Sequence, residues 1–269
     1  MIAPGLNAYL KKSLAKGKAA CLTGAGVSAE SGIPTFRGKQ GLWERYDPGV
    51  YATPEGLAGL LRKDPQALAD FIVDFYSVIL KARPNPAHRA LALMENEGRL
   101  SAVITQNIDN LHTIAGSRNV IELHGNSYST RCDSCAGKFM FEKDRLREMV
   151  VLLKRNKLSN NGLLRILSRY FPKCACGGRQ RTDVVLFGET LPKDALDKAY
   201  AALEECETLF VIGTSLEVYP AARLPVYAKQ KGAKIIGINN GVTDPSGLYD
   251  YYINEKAAVA MPRILEAIS

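Results

Sequence analysis

A short apolar strand that runs directly into a glycine-rich turn is the strongest constraint this sequence places on its fold. The apolar run at residues 19–22 leads into Gly24-x-Gly26-x-x-Ala29. A strand followed by this spacing is a dinucleotide-binding fingerprint. The first glycine permits a tight turn, and the second lets backbone N–H groups approach a pyrophosphate. We therefore expect a phosphate-binding loop at residues 24–29.

The residues after this loop depart from the dehydrogenase pattern. A dehydrogenase would continue into a helix and a second strand that ends in an acidic residue about 20 positions later. Gly32 and Pro34 interrupt such a helix, and Glu44 lies in a stretch that is not strand-like. The sequence thus predicts a dinucleotide site in which a loop replaces the helix and second strand of the dehydrogenase pattern.

The length and hydropathy of the chain fit a folded protein without a membrane span. Its 269 residues, 46% of them hydrophobic, suffice for one large domain or for a domain with a small module. There is no apolar run of 18 residues, so we expect no membrane partner. Residues 1–18 lack the apolar stretch of a secretory signal, which favours a cytoplasmic location.

Short apolar runs alternate with helical stretches, which is typical of a doubly wound α/β fold with a parallel sheet. The predicted strands are residues 19–23, 101–105, 119–122, 183–187, 208–213 and 234–238, with helices at 193–206 and 219–231. We expect a Rossmann-like large domain built from 16–38, 98–130 and 183–269. A helical insertion at 39–97 and a smaller module at 131–182 would interrupt it within one catalytic domain, 1–269.

Four cysteines in two close pairs predict a structural zinc site. Cys132-x-x-Cys135 and Cys174-x-Cys176 supply four thiolates, enough to close a tetrahedral site and leave no position for water. Disulfides are the alternative, which a reducing compartment disfavours. Cys21 and Cys206 lie in apolar contexts and are expected in the core.

Most of the net charge of +8 lies between the cysteine pairs, where residues 139–173 hold nine basic and three acidic residues. The simpler interpretation is a solvated pair of basic helices. The alternative is a docking surface for an acidic partner or nucleic acid.

Polar residues follow two predicted strands at their carboxyl ends, where open α/β sheets bind ligands. Gln106, Asn107 and Asp109 follow the strand at 101–105, although helix capping alone would also explain them. His124 follows the run at 119–123 and is the best candidate for a general base, since the pKa of histidine lies near working pH. A structural role is the alternative for this histidine. His88 is expected to order the start of a helix.

Taken in order, the motifs of this chain resemble those of the sirtuins, NAD-dependent protein lysine deacylases, in a prokaryote-like form. They are Gly24-Ala-Gly-Val-Ser28, Gly32-Ile-Pro-Thr-Phe-Arg-Gly38, Thr105-Gln-Asn-Ile-Asp-Asn-Leu-His112, Leu123-His-Gly125, the two cysteine pairs, Phe187-Gly-Glu189, Gly213-Thr-Ser215 and Ile238-Asn239. Each motif alone is weak, but the ordered set is specific and extends from about residue 16 to the end of the chain.

The resemblance implies roles for the matching residues. His124 would be the catalytic base, with Asn107 and Asp109 at the nicotinamide. The implied NAD-binding residues are Gly24, Ala25, Gly26, Ser28, Phe36, Arg37, Gln106, Asn107, Asp109, Gly213, Thr214, Ser215 and Asn239. The implied zinc ligands are Cys132, Cys135, Cys174 and Cys176. The residues that would clamp an extended acyl-lysine peptide by strand addition are Val185, Leu186, Phe187, Leu216 and Glu217.

The resemblance also implies the reaction. The acyl group of a protein lysine would be transferred to ADP-ribose, which releases nicotinamide and O-acyl-ADP-ribose. The same NAD site would serve a protein ADP-ribosyltransferase, which is the nearest alternative. A non-catalytic NAD-sensing module that binds nucleic acid through 139–173 is the alternative of another class.

Some positions depart from the family pattern. Thr35 stands where many relatives carry aspartate, Thr182 replaces a common proline, and the insert at 136–173 is long. Relatives that remove acidic acyl groups carry a Tyr-x-x-Arg pair, whereas here Tyr76 is followed three residues later by Ile79. We therefore expect an apolar acyl pocket.

Overall fold

The computed structural model describes residues 4–15, 17–34, 42–155, 157–241 and 247–268. Its strands are β1 Ala19–Thr23, β2 Leu100–Thr105, β3 Val120–Glu122, β4 Ser129–Cys132, β5 Lys138–Met140, β6 Gln180–Thr182, β7 Thr208–Ile212, β8 Lys234–Asn239 and β9 Tyr251–Asn254. Its α-helices are α1 Pro4–Leu14, α2 Leu42–Arg45, α3 Pro48–Tyr51, α4 Pro54–Lys63, α5 Pro65–Lys81, α6 Pro86–Asn96, α7 Leu111–Ala115, α8 Lys143–Arg155, α9 Asn160–Tyr170, α10 Lys193–Glu204, α11 Leu224–Gln230 and α12 Ala257–Ile268. Short 3₁₀ helices span Ala25–Ser31 and Ala221–Arg223.

The chain divides into two compact units. The first comprises residues 1–33, 83–123 and 191–269, and the second comprises 34–82 and 124–190. No helix among the described residues combines the length and the apolar character that crossing a membrane requires.

A parallel sheet forms the centre of the first unit, in the strand order β3-β2-β1-β7-β8-β9. Strand β1 pairs with β2 on one side and β7 on the other, so that Cys21 lies opposite both Val103 and Phe210. All five residues of β1 are buried, as expected for a strand covered on both faces. The prediction of a doubly wound parallel sheet is therefore confirmed.

Alternate residues of β1 enter two different apolar clusters because successive side chains of a strand point to opposite faces. Ala19 and Cys21 pack with residues of α1, α6 and α12. Ala20 and Leu22 pack with residues of α10 and α11. Every side chain of this strand thus buries apolar surface, which explains why the sequence shows a continuous apolar run rather than alternation.

The second unit contains a small antiparallel sheet, in the order β5-β4-β6, and a helical core. The apolar faces of α5, α8 and α9 share one buried cluster that includes Tyr76, Met149 and Leu163. The segment between the cysteine pairs therefore contains the helical insert that the sequence predicts.

Two predictions about elements were wrong, and the short strands β4, β5, β6 and β9 were not predicted. Residues 183–187 do not form a strand, because the N–H groups of Val185 and Phe187 donate to His124 and Ala52, which lie on different segments, so no ladder can form. The helix predicted at 219–231 begins later, with Ala221–Arg223 as a 3₁₀ turn and Pro225 in the first turn of α11. Strand β9 was not predicted, since its four residues carry too little periodicity.

The start of helix α6 is fixed by a capping box. Asn85 is the N-cap residue and accepts from the N–H of Ala87, while His88 Nδ1 accepts from the N–H of Asn85 at 3.4 Å. These bonds satisfy donors that the first turn of a helix leaves unpaired. The expected role of His88 at a helix start is confirmed.

His88 also belongs to a pair of buried histidines. Its ring centroid lies 4.8 Å from that of His112. Burial, with a smaller effect of the positive charge of Arg89, lowers the pKa of His88 to about 4. Burial and then the neighbouring His88 lower the pKa of His112 well below its usual value. Both rings are therefore neutral in the folded protein at neutral pH.

This neutrality makes stability depend on pH in the acid range. An unfolded His88 binds a proton near pH 6.5, whereas the folded one does so near pH 4. The stability that the neutral His88 contributes to the free energy of unfolding is fully present above pH 6.5. It is lost as the pH falls toward 4, by about 3 kcal/mol for such a shift. His88→Gln keeps an acceptor at this capping position. Urea unfolding between pH 7 and 4 should show a smaller loss of stability in this variant than in the unaltered protein, because the contribution of His112 is common to both. Parallel curves would contradict the assignment.

Candidate functional site

Two loops meet in very close contact at the carboxyl ends of β1 and β7. Gly24 N donates to Ile212 O at 3.0 Å, and Gly26 N donates to Gly213 O at 2.8 Å. A Cβ atom on Gly24 would lie 2.8 Å from Gly213 O, and one on Gly26 would lie 2.7 Å from Gly213 Cα. Gly213 itself has φ +62, a conformation that disfavours other residues. Only glycines permit this approach.

This contact lies where the strand order reverses, since β1 leads toward β2 and β3 while β7 leads toward β8 and β9. The crevice at such a switch point is where open α/β sheets bind their ligands. The glycine fingerprint and the Gly213 loop are therefore brought together at the edge where a dinucleotide is expected.

Ser28 joins two of the predicted site residues. It is fully buried in the 3₁₀ helix after Gly24, and its Oγ donates to Asp109 Oδ2 at 2.7 Å. Asn107 Nδ2 donates to Ser28 Oγ and to Gly24 O, each at 3.1 Å. Asn107 and Asp109 thus lie on the same side of their loop, around one hydroxyl.

Asp109 is buried, and this burial raises the pKa of its carboxyl group above the ordinary value. The bonds from Ser28 and from the N–H of Leu111 act in the opposite direction and favour the charged form. Desolvation is the larger effect. The carboxylate oxygens, which accept hydrogen bonds in this structure, can also accept from a polar ligand.

Two buried threonines, to which the sequence analysis assigned no site role, bind the backbone and side chains of this region. Thr23 Oγ1 donates to Thr105 Oγ1 at 2.8 Å, and Thr105 Oγ1 also accepts from Asn107 N at 3.0 Å. His112 Nε2 lies 3.0 Å from Thr23 Oγ1. The signal was a polar residue closing each of two apolar runs, at the ends of β1 and β2.

A second group of predicted residues surrounds Thr214, next to Gly213. Gln106 Nε2 donates to Thr214 Oγ1 at 2.9 Å, and Asn239 Nδ2 donates to Thr214 O at 3.3 Å. Ser215 is exposed, and Ala25 and Leu216 are half-buried. The first unit therefore brings the predicted nucleotide-binding residues together along the ends of β1, β2, β7 and β8, whereas Phe36 and Arg37 lie outside the described residues.

His124 is the first residue of the second segment of the second unit, and it is half-buried. Its carbonyl accepts from Val185 N at 3.0 Å. The next residue, Gly125, has φ +74, and a Cβ atom there would lie 1.6 Å from Asp183 O. The backbone at His124 is therefore pressed against residues 183–185. Val185 and Leu186 are half-buried and Phe187 is exposed, while Glu217 lies exposed on the first unit.

The four predicted zinc ligands converge in the second unit. Their sulfur atoms all lie within 4.8 Å of one another, with Cys132 Sγ 3.5 Å from Cys176 Sγ and Cys135 Sγ 3.7 Å from Cys174 Sγ. These distances exceed a disulfide bond of about 2 Å. They match the edges of about 3.8 Å that a tetrahedron with Zn–S bonds of about 2.3 Å requires. The donor set therefore fits a closed structural zinc site.

The two remaining cysteines lie in the core, as expected. Burial raises the pKa of the Cys21 thiol far above its ordinary value and that of Cys206 to about 11. Both thiols are therefore protonated and unreactive at neutral pH.

Comparison with known proteins gives similarities over nearly the whole chain. The model of the Sir2 family matches residues 24–220. A Thermococcus kodakarensis protein named NAD-dependent protein deacylase is 43% identical over 262 residues, which are 97% of this chain and 95% of that protein. The crystal structure of a Sir2 homolog–NAD complex is 41% identical with a TM-score of 0.77, covering 97% and 93% of the two chains. A Sir2–p53 peptide–NAD+ complex is 33% identical with a TM-score of 0.75, covering 99% and 98%.

These similarities agree with the order of the sequence motifs, with the parallel sheet and with the thiolate cluster. The family model alone covers well over half of the residues, and the relatives cover nearly all of them. The chain belongs to the Sir2 family, the sirtuins.

Proposed function

We propose that this chain is an NAD-dependent protein deacylase that removes acetyl and other apolar acyl groups from protein lysine. Its relatives carry the name NAD-dependent protein deacylase, and solved members of the family hold NAD or a peptide. The observation that carries the proposal is the junction of Ser28, Asn107 and Asp109 beside the glycine contact at the switch point.

The residues of the first unit fit a bound NAD. Gly24, Gly26 and Gly213 expose backbone groups where side chains would otherwise fill the space. We assign the phosphates to residues 213–215. The ribose on adenine is assigned to these residues together with Asn239, and the ribose on nicotinamide is assigned to Gln106. When bound, NAD supplies a glycosidic bond whose cleavage releases nicotinamide. Ala25, with Phe36 and Arg37, would border the nicotinamide side.

Asn107 and Asp109 would orient the nicotinamide amide and a nearby water molecule. Ser28 makes one hydrogen bond with each of these side chains. Both are therefore oriented before a ligand binds, which reduces the entropy cost of binding. Because Asp109 is desolvated, a hydrogen bond that it makes to a ligand is stronger than the same bond in water.

His124 would act as the general base. A half-buried imidazole with its backbone fixed by Val185 and Gly125 can accept a proton from a ribose hydroxyl group at a ring nitrogen. Val185, Leu186 and Phe187, with Leu216 and Glu217, would hold the acyl-lysine peptide in an extended form.

The function is tested with purified protein, NAD and acyl-lysine peptides, read by mass spectrometry of both peptide and nucleotide. We expect deacylated peptide, nicotinamide and O-acyl-ADP-ribose in equal amounts. ADP-ribose found on protein, without O-acyl-ADP-ribose, would instead identify a protein ADP-ribosyltransferase.

The acyl pocket is proposed to be apolar. The hydroxyl of Tyr76 is buried and donates to Ser127 O at 3.1 Å, and Ile79 is buried, so neither offers a cation to an acidic acyl group. In the same assay, acetyl and butyryl peptides should be turned over at least about tenfold faster than a succinyl peptide, because a carboxylate would be desolvated without a partner. Faster turnover of the succinyl peptide would exclude this pocket.

Replacing the proposed base should separate chemistry from binding. His124→Ala should lower kcat by about 10²- to 10⁴-fold, the usual contribution of general base catalysis. Calorimetry should show a much smaller change in NAD affinity than in kcat, because His124 would contact only a ribose hydroxyl and the other proposed nucleotide contacts lie on other residues. Retained turnover would remove His124 from this role.

We also propose that the basic insert at 139–173 binds a polyanionic partner. Arg147 and Arg169 pair with acidic residues of the insert itself, whereas exposed Lys154, Arg155 and Lys157 have no ion pair among the described residues. The double variant Lys154→Ser and Arg155→Ser should weaken binding of duplex DNA or of a polyglutamate peptide at least fivefold in fluorescence anisotropy, by loss of charge. Lys193→Ser and Lys198→Ser, on exposed positions of α10, provide the matched control. The solvated-helix interpretation predicts no difference between the two variants.

A further inference from the structure

Arg181 forms a polar junction inside the second unit. It lies in the middle of β6, opposite Arg131 of β4, and its side chain is only 27% exposed. The guanidinium contacts carboxylates on both sides: Arg181 Nη2 lies 2.9 Å from Glu189 Oε1, and Arg181 Nε lies 3.3 Å from Asp133 Oδ1. A planar group with five donors can serve acceptors in several fixed directions, a geometry that the compact ammonium of lysine does not reproduce.

The same guanidinium also reaches the backbone of the residues that follow β6. Arg181 Nη1 donates to Val184 O at 3.2 Å. Because Glu189 is held as well, Arg181 fixes both ends of the segment 184–189. Between those ends lie Val185, Leu186 and Phe187.

Glu189 connects Arg181 with Leu186, in the middle of this segment. While its Oε1 pairs with Arg181, its Oε2 accepts from Leu186 N at 2.9 Å, and Glu189 N donates to Leu186 O at 3.1 Å. The turn between them contains Gly188 with φ +86. The orientation of the Leu186 peptide unit therefore depends on a carboxylate that Arg181 holds in place.

Asp133 connects the junction to the thiolate cluster. It lies between Cys132 and Cys135 in the chain, and its N–H donates to Arg179 O at 2.9 Å. The turn at 132–135, which carries two of the predicted zinc ligands, thus contacts the guanidinium through Asp133.

From these contacts we infer that Arg181 is a positioning residue for the acyl-lysine substrate. It acts through Glu189 on the segment 184–189 and connects that segment with the turn at 132–135 through Asp133. The inference rests on the proposed function in that this segment is taken to bind the peptide. Val185 and Phe187 have backbone bonds to His124 and Ala52, but the segment has no strand partner among the described residues, so the orientation of its middle at Leu186 depends on the side-chain bonds.

The test compares Arg181→Met with Arg179→Met. Arg179 is an exposed residue two positions earlier and supports Asp133 only through its backbone, so its variant is the matched control. In Arg181→Met, hydrogen exchange of the amides in 184–189 should accelerate at least tenfold, while Arg179→Met leaves it unchanged. The KM for an acetyl-lysine peptide should rise about tenfold, the effect of losing a charged hydrogen bond, and the KM for NAD should stay within about twofold.

Further variants separate positioning from general stability. Arg181→Lys can keep the pair with Glu189 but not the other contacts. Its KM for the peptide should therefore lie between those of the unaltered protein and of Arg181→Met. Glu189→Gln keeps the shape of the side chain and should accelerate exchange at Leu186 with little change in melting temperature, which keeps the inference testable should Arg181→Met fold poorly. Zinc content measured by atomic absorption should remain one per chain in all these variants.

Two results would overturn the inference: unchanged exchange at 184–189 in both Arg181→Met and Glu189→Gln, or an equal rise in the KM for NAD and for peptide. Failure of the unaltered protein to deacylate any peptide would instead contradict the proposed function, and the exchange measurements would still decide whether Arg181 orders this segment.

Discussion

The first unit depends on one steric condition, the contact between the loops that follow β1 and β7. Backbone atoms of Gly26 and Gly213 approach so closely that a Cβ atom on either residue would lie within 2.7 Å of the other loop. Without this approach, the Gly26 N–H could not reach Gly213 O, and the two loops would separate at the switch point. The reversal of the strand order predicts a ligand site there, and the contact of the two loops depends on the absence of two side chains.

The polar residues around this contact follow a second condition, since buried donors and acceptors must find partners. Ser28, Asn107 and Asp109 satisfy one another through a single hydroxyl, and Thr23 and Thr105 support the backbone of Asn107. Removing one member would leave its neighbours without one of their hydrogen bonds in a desolvated place, at about 1–3 kcal/mol for each polar atom left unsatisfied. A network of this kind limits the side chains to one arrangement, which suits residues that must present fixed groups to a ligand.

The sequence was informative wherever one local pattern decides the structure. The run at 19–23 predicted β1 because a strand covered on both faces has no polar positions, and the cysteine spacing predicted the thiolate cluster because short loops hold their ends together. Asn107 and Asp109 could be proposed as site residues because they follow a strand at its carboxyl end, but helix capping would explain that position too, and their roles came from the resemblance. The contacts of Arg181 had no comparable signal, because its partners Asp133 and Glu189 lie on separate segments that only the folded chain brings together.

The wrong strand at 183–187 shows why apolar β-like composition does not settle an assignment. Strand formation requires a neighbour that supplies a ladder, whereas Val185, Leu186 and Phe187 donate to three unrelated acceptors. An extended apolar segment outside a sheet tends to pair with other chains, which folded proteins restrain by blocking or covering it. Here the half-buried Arg181 and its partner Glu189 impose that restraint. The segment thereby stays outside the sheet, which suits the strand addition of a substrate peptide proposed for it.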